Sequence, residues 1–381
     1  MMRSKIKSVA AQLWSTLRFP LISIFAGFLV GAVLILIAGK SPMVAYAALF
    51  KGSFGGVDKI GETLFKMTPI LLTGLSFSIA FRTGLFNIGG EGQFLTGAIT
   101  AIITGWFFQD LPHLILILIM LISAIIAGGA WASIAGVLKA KMGIHEVITT
   151  IMLNYTALYL VNYIVRAVMN PQILLGTKAE AHTVSLPDVA RLTKLKDVFE
   201  IFGRSSVHTG IFIAIGCALF MYFILFKTTV GYELRAGGLN PDAAEYGGIK
   251  KSKNIIMAMG ISGGLAGLAG AVNVMGITYY VAQSSTTPGY GFDGIAVGLV
   301  GGLHPIGNIA SSFLFGILSN GARRMQLEGI PKEVIAIIQG VIIVFIASQY
   351  IIKIIYKKKR EKEIKKEKQI TVEQGNEGEV Q

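Results

Sequence analysis

The sequence predicts an all-α protein that crosses a membrane about ten times, with some helices short or interrupted. Two observations lead to this fold class. Of the 381 residues, 53% are hydrophobic and only 14% are charged, whereas about 25% of a soluble domain is charged. The apolar residues gather in runs that, at about 1.5 Å per residue, can cross roughly 30 Å of hydrocarbon. The 46 glycines would let such helices approach one another closely.

Charged segments flank the predicted membrane domain, which occupies residues 20–355. The basic segment 1–19 precedes the first apolar run, and no small-residue cleavage site follows that run, so we expect an uncleaved first span. Basic residues favour the cytoplasmic side of a membrane. Residues 1–19 are therefore predicted to be cytoplasmic. The charged tail 356–381 is predicted on the same side, in contact with anionic lipid.

Two long polar intervals separate predicted spans. Residues 166–206 form the larger extracytoplasmic interval, with an amphipathic surface helix expected around 186–202. Residues 228–253 are predicted to be cytoplasmic because basic residues stand close to the apolar runs on either side. These basic residues are Lys227, Arg235, Lys250, Lys251 and Lys253. The same scheme leaves Arg323 and Arg324 outside, against the charge rule.

A short helix is predicted within the interval 228–253. Asn240 suits the capping position, Pro241 the first helical position, and the acidic Asp242 the first turn. The pair Gly247-Gly248 supplies a stop. Because so short a helix is not stable by itself in water, we expect it to dock onto another protein.

Two interrupted segments occupy similar places in the two halves of the chain. Residues 86–90 (FNIGG) and 292–295 (FDGI) each open a short, glycine-rich apolar segment. Matching interruptions of this kind point to a pathway near the membrane midplane in transporters.

Polar and aromatic residues near these interruptions are the candidates for lining such a pathway, because polar groups within a span tend to face a cavity or a partner. They are Phe86, Asn87, Glu91, Gln93, Asn154, Tyr155 and Asp293. Structural roles compete with this interpretation. Glu91 is better explained as a cap for backbone amides that Gly89, Gly90 and Gly92 expose, and Asp293 also suits capping. Asn154 is equally suited to an inter-helix hydrogen bond, and the aromatic residues to packing.

Several enzyme classes find no support in the sequence. There is no GxxxxGK[ST] phosphate-binding loop, no HExxH and no GxSxG, so the chain is not expected to bind ATP or catalyse hydrolysis by these routes. Its single cysteine, Cys217, excludes an internal disulfide and a cysteine-based metal site. The net charge of +13 is interpreted as orientation and lipid contact, and no nucleic-acid partner is expected.

Three stretches carry a family resemblance that covers roughly residues 42–352. GGLNPDAAEYGGIK (237–250) resembles the cytoplasmic coupling loop of permease subunits in ATP-binding-cassette (ABC) importers for ribose, branched-chain amino acids and nucleosides. FRTGLFNIGGEGQFLTGA (81–98) and GFDGIAVGLVGGLHPIGNIASSFLFG (291–316) resemble blocks of the same family. The resemblance implies that the short helix couples to an ATPase. The residues it assigns to coupling are Gly238, Asn240, Pro241, Ala243, Ala244, Tyr246, Gly247, Gly248 and Ile249.

The resemblance also implies an assembly in a bacterial cell membrane. This chain would pair with a second permease, identical or different, and with ATPase subunits that bind ATP and Mg²⁺, so that no cofactor belongs to the chain itself. An extracytoplasmic binding protein would deliver the solute, with nucleosides expected first, simple sugars such as ribose second and branched-chain amino acids third. The alternatives are a proton- or sodium-coupled secondary transporter, which would need titratable groups deep in its spans, and a membrane scaffold without transport activity.

Overall fold

The computed structural model describes residues 21–331, 333–346 and 348. This part of the chain folds into α-helices joined by turns and short 3₁₀ segments, with isolated bridges in place of strands. The first half contains α1 (Leu21–Ile37), α2 (Pro42–Phe54), α3 (Val57–Arg82), α4 (Gly90–Phe107), α5 (His113–Met142), α6 (Glu146–Ala167) and α7 (Pro171–Leu175). The second half contains α8 (Gly210–Lys227), α9 (Thr229–Leu239), α10 (Pro241–Tyr246), α11 (Lys251–Asn273), α12 (Tyr290–Val300), α13 (Pro305–Leu327) and α14 (Glu333–Ile346).

The predicted fold class is confirmed only in part. Within the described residues, five helical segments are long and apolar enough to span a membrane, and α1, α12 and α14 are shorter apolar helices. The five are α3, α5, α6 extended through α7, α8, and α11 extended to Thr278. The all-helical, multi-pass class is therefore confirmed, while the number of about ten crossings stays a prediction. The predicted segments 1–19 and 356–381 lie outside the described residues.

Helices α3 and α11 form the centre of the bundle, and most of their side chains are buried. Close packing of α11 against α4 and α5 depends on glycine. A β-carbon added at Gly97 would overlap the backbone of Gly267, and one added at Gly128 would approach the backbone of Gly263 and Gly267. Such contacts between small residues are how membrane helices gain van der Waals packing without a hydrophobic driving force.

The two ends of the bundle can be told apart by their loops. At one end, the C-terminus of α3 meets the C-termini of α8 and α9 and the turn between α12 and α13. At the opposite end lies the interval 166–206, where the backbone N–H of Ser206 donates to Glu62 Oε1 at 2.6 Å and that of Leu186 donates to the Tyr279 carbonyl at 2.8 Å. Arg324 lies at this second end, packed beside Gly52.

The interval 166–206 differs from the prediction in its local structure. Residues 186–202 do not form an amphipathic helix. They form three 3₁₀ turns at Asp188–Ala190, Leu195–Asp197 and Glu200–Phe202. The backbone groups of this interval bond instead to the 275–281 region and to the residues just before α8, for example Leu192 N–H to the Met275 carbonyl at 2.9 Å. Pro187 and the long-range bonds together prevent a continuous i→i−4 ladder.

Candidate functional site

The two interrupted segments meet inside the bundle. The N-termini of α4 and α12 approach so closely at Gly90 and Gly291 that a β-carbon on Gly90 would lie 3.3 Å from the Gly291 Cα. Glu91 joins them, because its Oε1 accepts from the backbone N–H of Gly291 at 2.6 Å and of Phe292 at 3.2 Å. Its Oε2 accepts from Gly289 N–H at 3.1 Å. The first N–H groups of a helix lack intrahelical partners, and a carboxylate there is stabilised by the helix dipole.

Glu91 is thus a cap, as the structural interpretation predicted, but its partners differ from the predicted ones. The amides that it binds belong to residues 289–292 of the other half of the chain, and not to the adjacent Gly89, Gly90 and Gly92. The side chain is completely buried. Three backbone donors bond to its carboxyl oxygens, which is how such a polar group can remain inside a membrane protein.

A second polar group braces the turn between α3 and α4. The side-chain amides of Asn87 and Gln93 form two reciprocal hydrogen bonds. Asn87 Nδ2 donates to Gln93 Oε1, and Gln93 Nε2 donates to Asn87 Oδ1, each at 3.0 Å. Asn87 also donates to Ser262 Oγ at 2.8 Å and accepts from Gly89 N–H at 2.8 Å. Ser262 in turn donates to the Ser76 carbonyl at 2.8 Å. All of these groups are buried, so the network fixes the irregular backbone and ties it to α3 and α11.

Asn154, on α6, also holds the irregular backbone before α4 in place. Its Nδ2 donates to the Ile88 carbonyl at 3.0 Å, and its Oδ1 accepts from Gly92 N–H at 2.8 Å. Asn154 therefore forms hydrogen bonds from α6 to the start of α4, as the inter-helix interpretation expected. Four polar candidates, Asn87, Glu91, Gln93 and Asn154, are engaged in hydrogen bonds within the protein.

The remaining three candidates take no part in these side-chain hydrogen bonds. The ring of Phe86 packs edge-on against Phe77 and Phe81, with centroids 5.4 and 5.8 Å away. Tyr155 projects from the exposed face of α6. Asp293 lies in the first turn of α12 but is not its N-cap, which is Gly289, and no side-chain cap bond is formed there. The capping alternative for Asp293 is therefore wrong.

A cluster around Phe226, beside the turn between α12 and α13, was not predicted from the sequence. The guanidinium carbons of Arg82 and Arg235 each lie 5.2 Å from the centre of the Phe226 ring, and His304 stacks on it at 5.1 Å. Arg82 also donates from Nε to the carbonyl of Leu303, a non-glycine residue with φ of +58°. Burial, with a further contribution from the charge of Arg82, lowers the pKa of His304. The cluster links α3, α8, α9 and the turn between α12 and α13.

The interval 228–253 contains the predicted short helix. Asn240 Oδ1 accepts from the N–H groups of Asp242 and Ala243 at 3.1 and 3.0 Å, and α10 then runs from Pro241 to Tyr246. Gly248 has φ of +88°, a left-handed conformation that favours glycine and ends the helix. Helix α9 was not predicted; the Thr228 side chain caps it, and it carries Gly231 against α8.

The residues of this interval face two ways. Ala244 is only 7% exposed, Gly238 packs against the backbone of Arg82, and Ile249 lines a cavity of about 290 Å³ beneath α10. Tyr246 is 99% exposed and Leu239 is 88% exposed. One face of α10 is thus held to the bundle, while two large apolar side chains project into solvent.

These features define the class of the protein: a multi-pass helical membrane protein with interrupted helices at its centre and a short, docked helix at one end. Within the described residues, no group of three or more His, Cys, Asp or Glu side chains is placed to hold a metal ion.

Comparison with known proteins identifies the family. The family model described as branched-chain amino acid transport system / permease component matches residues 60–347, and the chain belongs to this family. It is 43% identical to the guanosine ABC transporter permease protein NupP of Bacillus subtilis, over 91% of this chain and 98% of the relative. It is 38% identical to the nucleoside ABC transporter permease protein NupB of Lactococcus lactis, over 89% and 93% respectively.

A further relative is the guanosine ABC transporter permease protein NupQ of Bacillus subtilis, which is 29% identical over 68% of this chain and 79% of its own length. No solved structure matches the chain. The chain is therefore a permease subunit of an ABC-type importer, in which a separate subunit hydrolyses ATP. The family typically carries no cofactor of its own and implies ATPase and substrate-binding partners. The alternatives of an ion-coupled transporter and a scaffold are not retained.

Proposed function

We propose that this permease translocates nucleosides across a bacterial cell membrane, with both termini in the cytoplasm. The observation that carries the proposal is the identity of 43% and 38%, over about nine-tenths of the chain, to permeases named for guanosine and for nucleosides. A binding protein outside the membrane would deliver the nucleoside. Simple sugars such as ribose are the second candidate solute, on the resemblance of residues 81–98 to the shared signature of sugar and nucleoside permeases.

A second, different permease chain is the partner that we propose for the membrane domain. Two guanosine permeases of one organism, NupP and NupQ, both resemble this chain, at 43% and 29% identity. Two distinct permease proteins with the same named solute in one cell are what a heterodimeric importer would need. A homodimer would be the alternative for this chain.

The interval 228–253 is proposed to bind the ATPase. The exposed positions Asn240, Pro241, Ala243, Tyr246, Gly247 and Gly248 would face the ATPase, with Tyr246 and Leu239 as apolar anchors. Gly238, Ala244 and Ile249 would instead hold the short helix to this chain. Closure of the ATPase around ATP would then move α10, and through α9 the cluster around Phe226.

Reconstituted transport tests this function. The chain would be expressed with a candidate second permease, a candidate ATPase and a candidate binding protein, and the assembly placed in vesicles with ATP inside. We expect binding-protein-dependent uptake of labelled guanosine that unlabelled guanosine inhibits and that a tenfold excess of ribose or leucine does not. A matched vesicle containing ADP gives the background.

Two outcomes would overturn the proposal. Preferential uptake of ribose or leucine would refute the nucleoside assignment. Uptake that persists with ADP but stops when the proton gradient is removed would refute ATP-driven transport by the assembly.

A further inference from the structure

One face of α6 carries a ladder of exposed aromatic side chains. Tyr155, Tyr159 and Tyr163 are 55%, 69% and 64% exposed. Their spacing of four residues places them one above the other on a helix, and Met152 and Ile148 continue the same exposed face. We call Tyr155, Tyr159 and Tyr163 the tyrosine ladder.

The orientation of the tyrosine ladder is fixed by the opposite face of α6. Asn154 bonds to the backbone of residues 88 and 92, and the Leu153 carbonyl accepts from Trp131 Nε1 at 3.3 Å. Nearer the end of the helix, Asn162 exchanges hydrogen bonds of 2.8 and 3.1 Å with the backbone of Ser284. The helix therefore cannot rotate the ladder inward without breaking these bonds.

The depth of the ladder argues against lipid as its neighbour. Helix α6 runs from Glu146 to Ala167, so Tyr155 and Tyr159 lie about 2 and 4 Å from its midpoint and Tyr163 about 10 Å. With the midpoint of α6 at the bilayer centre, all three would lie within the roughly 15 Å half-thickness of the hydrocarbon, away from the interfacial belt that tyrosine prefers. Among the described residues, none of their hydroxyl groups has a hydrogen-bond partner, and an unsatisfied hydroxyl in hydrocarbon is unfavourable.

A polar cavity opens directly onto the outer end of the ladder. It has a volume of about 570 Å³ and is open to the surface. Tyr163 is one of its lining residues, and the others are Asn162, Arg166, Gln283, Ser284 and Ser285. The hydrogen-bonding side chains at the cavity are thus followed, along α6, by aromatic rings that extend toward the middle of the helix.

We propose that the tyrosine ladder lines the solute path in the assembled transporter and that its rings stack on the planar base of a nucleoside. The proposal rests on the proposed function, because it takes a nucleobase as the occupant. Aromatic rings bind every base through its π-face, without requiring one hydrogen-bond pattern. Water and the passing solute supply partners for the hydroxyl groups. The polar cavity admits the ribose and base edges before the base reaches Tyr159 and Tyr155.

Aqueous accessibility distinguishes this role from a lipid-facing or dry packing role. Cys217 is the only cysteine in the chain, so Cys217→Ser gives a background for Tyr155→Cys and Tyr159→Cys. The matched control is Phe220→Cys, since Phe220 is 60% exposed and lies about 2 Å from the midpoint of α8. In the complete complex, we expect a charged, water-soluble thiol reagent to label the ladder cysteines at least tenfold faster than Phe220→Cys.

Protection by the solute completes this test. Guanosine with its binding protein should slow the labelling of the ladder cysteines several-fold and leave the control unchanged. Labelling as slow as that of Phe220→Cys would overturn the proposal, because it would place the ladder against lipid or a dry helix. Fast labelling without protection in any nucleotide state would also overturn it, because the base would not pass there.

Transport by ring-retaining and ring-deleting variants provides the second readout. Tyr159→Phe keeps the stacking surface and should leave the KM for guanosine within about twofold of the unmodified complex. Tyr159→Ala should raise it about tenfold, because one base-stacking contact is lost. Phe220→Ala should change neither KM nor kcat. Equal KM values for Tyr159→Ala and Tyr159→Phe would overturn the stacking role.

Failure of this inference and failure of the proposed function give different results. If the unmodified complex takes up guanosine but the ladder variants behave like the control, only the ladder is refuted. If the unmodified complex takes up no nucleoside, the proposed function fails.

Discussion

At the scale of single residues, Glu91 shows how an acidic side chain can be buried for a structural purpose. Its carboxylate reaches three backbone N–H groups that belong to residues 289–292, at 2.6 to 3.2 Å. An acidic residue near the start of a glycine-rich segment predicts that its side chain caps backbone N–H groups, so the capping role of Glu91 could be predicted from the sequence. The partner segment, about two hundred residues away, does not follow, because no local pattern encodes which helix N-terminus will lie beside it.

Removing the carboxylate should destabilise the protein strongly. We expect Glu91→Ala to lower the free energy of unfolding by about 3 kcal/mol or more, because three buried donors would lose their acceptor. Glu91→Gln should cost less, since the amide oxygen can still accept. Thermal unfolding of the detergent-solubilised protein measures both, with the exposed Glu245→Ala as the control. An unfolding temperature for Glu91→Ala equal to that of the control would contradict the capping role.

At the scale of elements, α10 was the most predictable part of the chain. Its cap at Asn240, its proline and its glycine stop act within a few residues, so the sequence contains all of their geometry. Helix α9 was missed because the glycines at 231, 237 and 238 disfavour a helix by propensity. Close packing against α8, Asn254 and the end of α3 overrides that propensity. The faces of α10 were also not predictable, since burial of Ala244 depends on the bundle beneath it.

The two faces of α10 should respond differently to substitution. We expect Tyr246→Ala to reduce association with the ATPase about tenfold while the permease remains folded, because an exposed aromatic side chain can act as an interface anchor. Co-purification of the tagged ATPase from membranes measures the association, and thermal unfolding measures the fold. Tyr232→Ala, an exposed tyrosine on α9, is the control.

Ala244→Asp is a poor probe of docking, since it would place a charge in the buried contact beneath α10. We expect this variant to lower the unfolding temperature as well as the association. Undiminished ATPase recovery with Tyr246→Ala would contradict the assignment of Tyr246 as an anchor.

At the scale of the whole molecule, hydropathy was enough to predict a multi-pass helical protein, and the three sequence blocks were enough to predict its family. Hydropathy was not enough to delimit the helices. Residues 42–54 and 57–82 form the two helices α2 and α3, although charged residues at 51, 58, 59 and 66 divide their apolar pattern. The hydrogen-bond partners of the polar pathway candidates also escaped prediction. A polar side chain in a span looks the same in sequence whether it meets solute or the backbone of another helix.

The two ends of the molecule allow a test of its orientation. Tyr246 lies at the end that carries α10, and Arg323 lies with Arg324 at the opposite end. In a Cys217→Ser background, we expect an impermeant thiol reagent added to intact cells to label Arg323→Cys. We expect it to label Tyr246→Cys only after the membrane is permeabilised. The reverse pattern would place the short helix outside and contradict both the orientation and ATPase docking.

The shared start of α4 and α12 also constrains how the molecule can move. Because Glu91 is buried, drawing one of these helices away from the other would leave its carboxyl oxygens and the backbone N–H groups of residues 289–292 buried without their hydrogen-bond partners. Any transition that carries solute through should therefore translate the pair as one rigid unit, with bending confined to segments outside it. The first and second halves of the chain are thereby made to switch together.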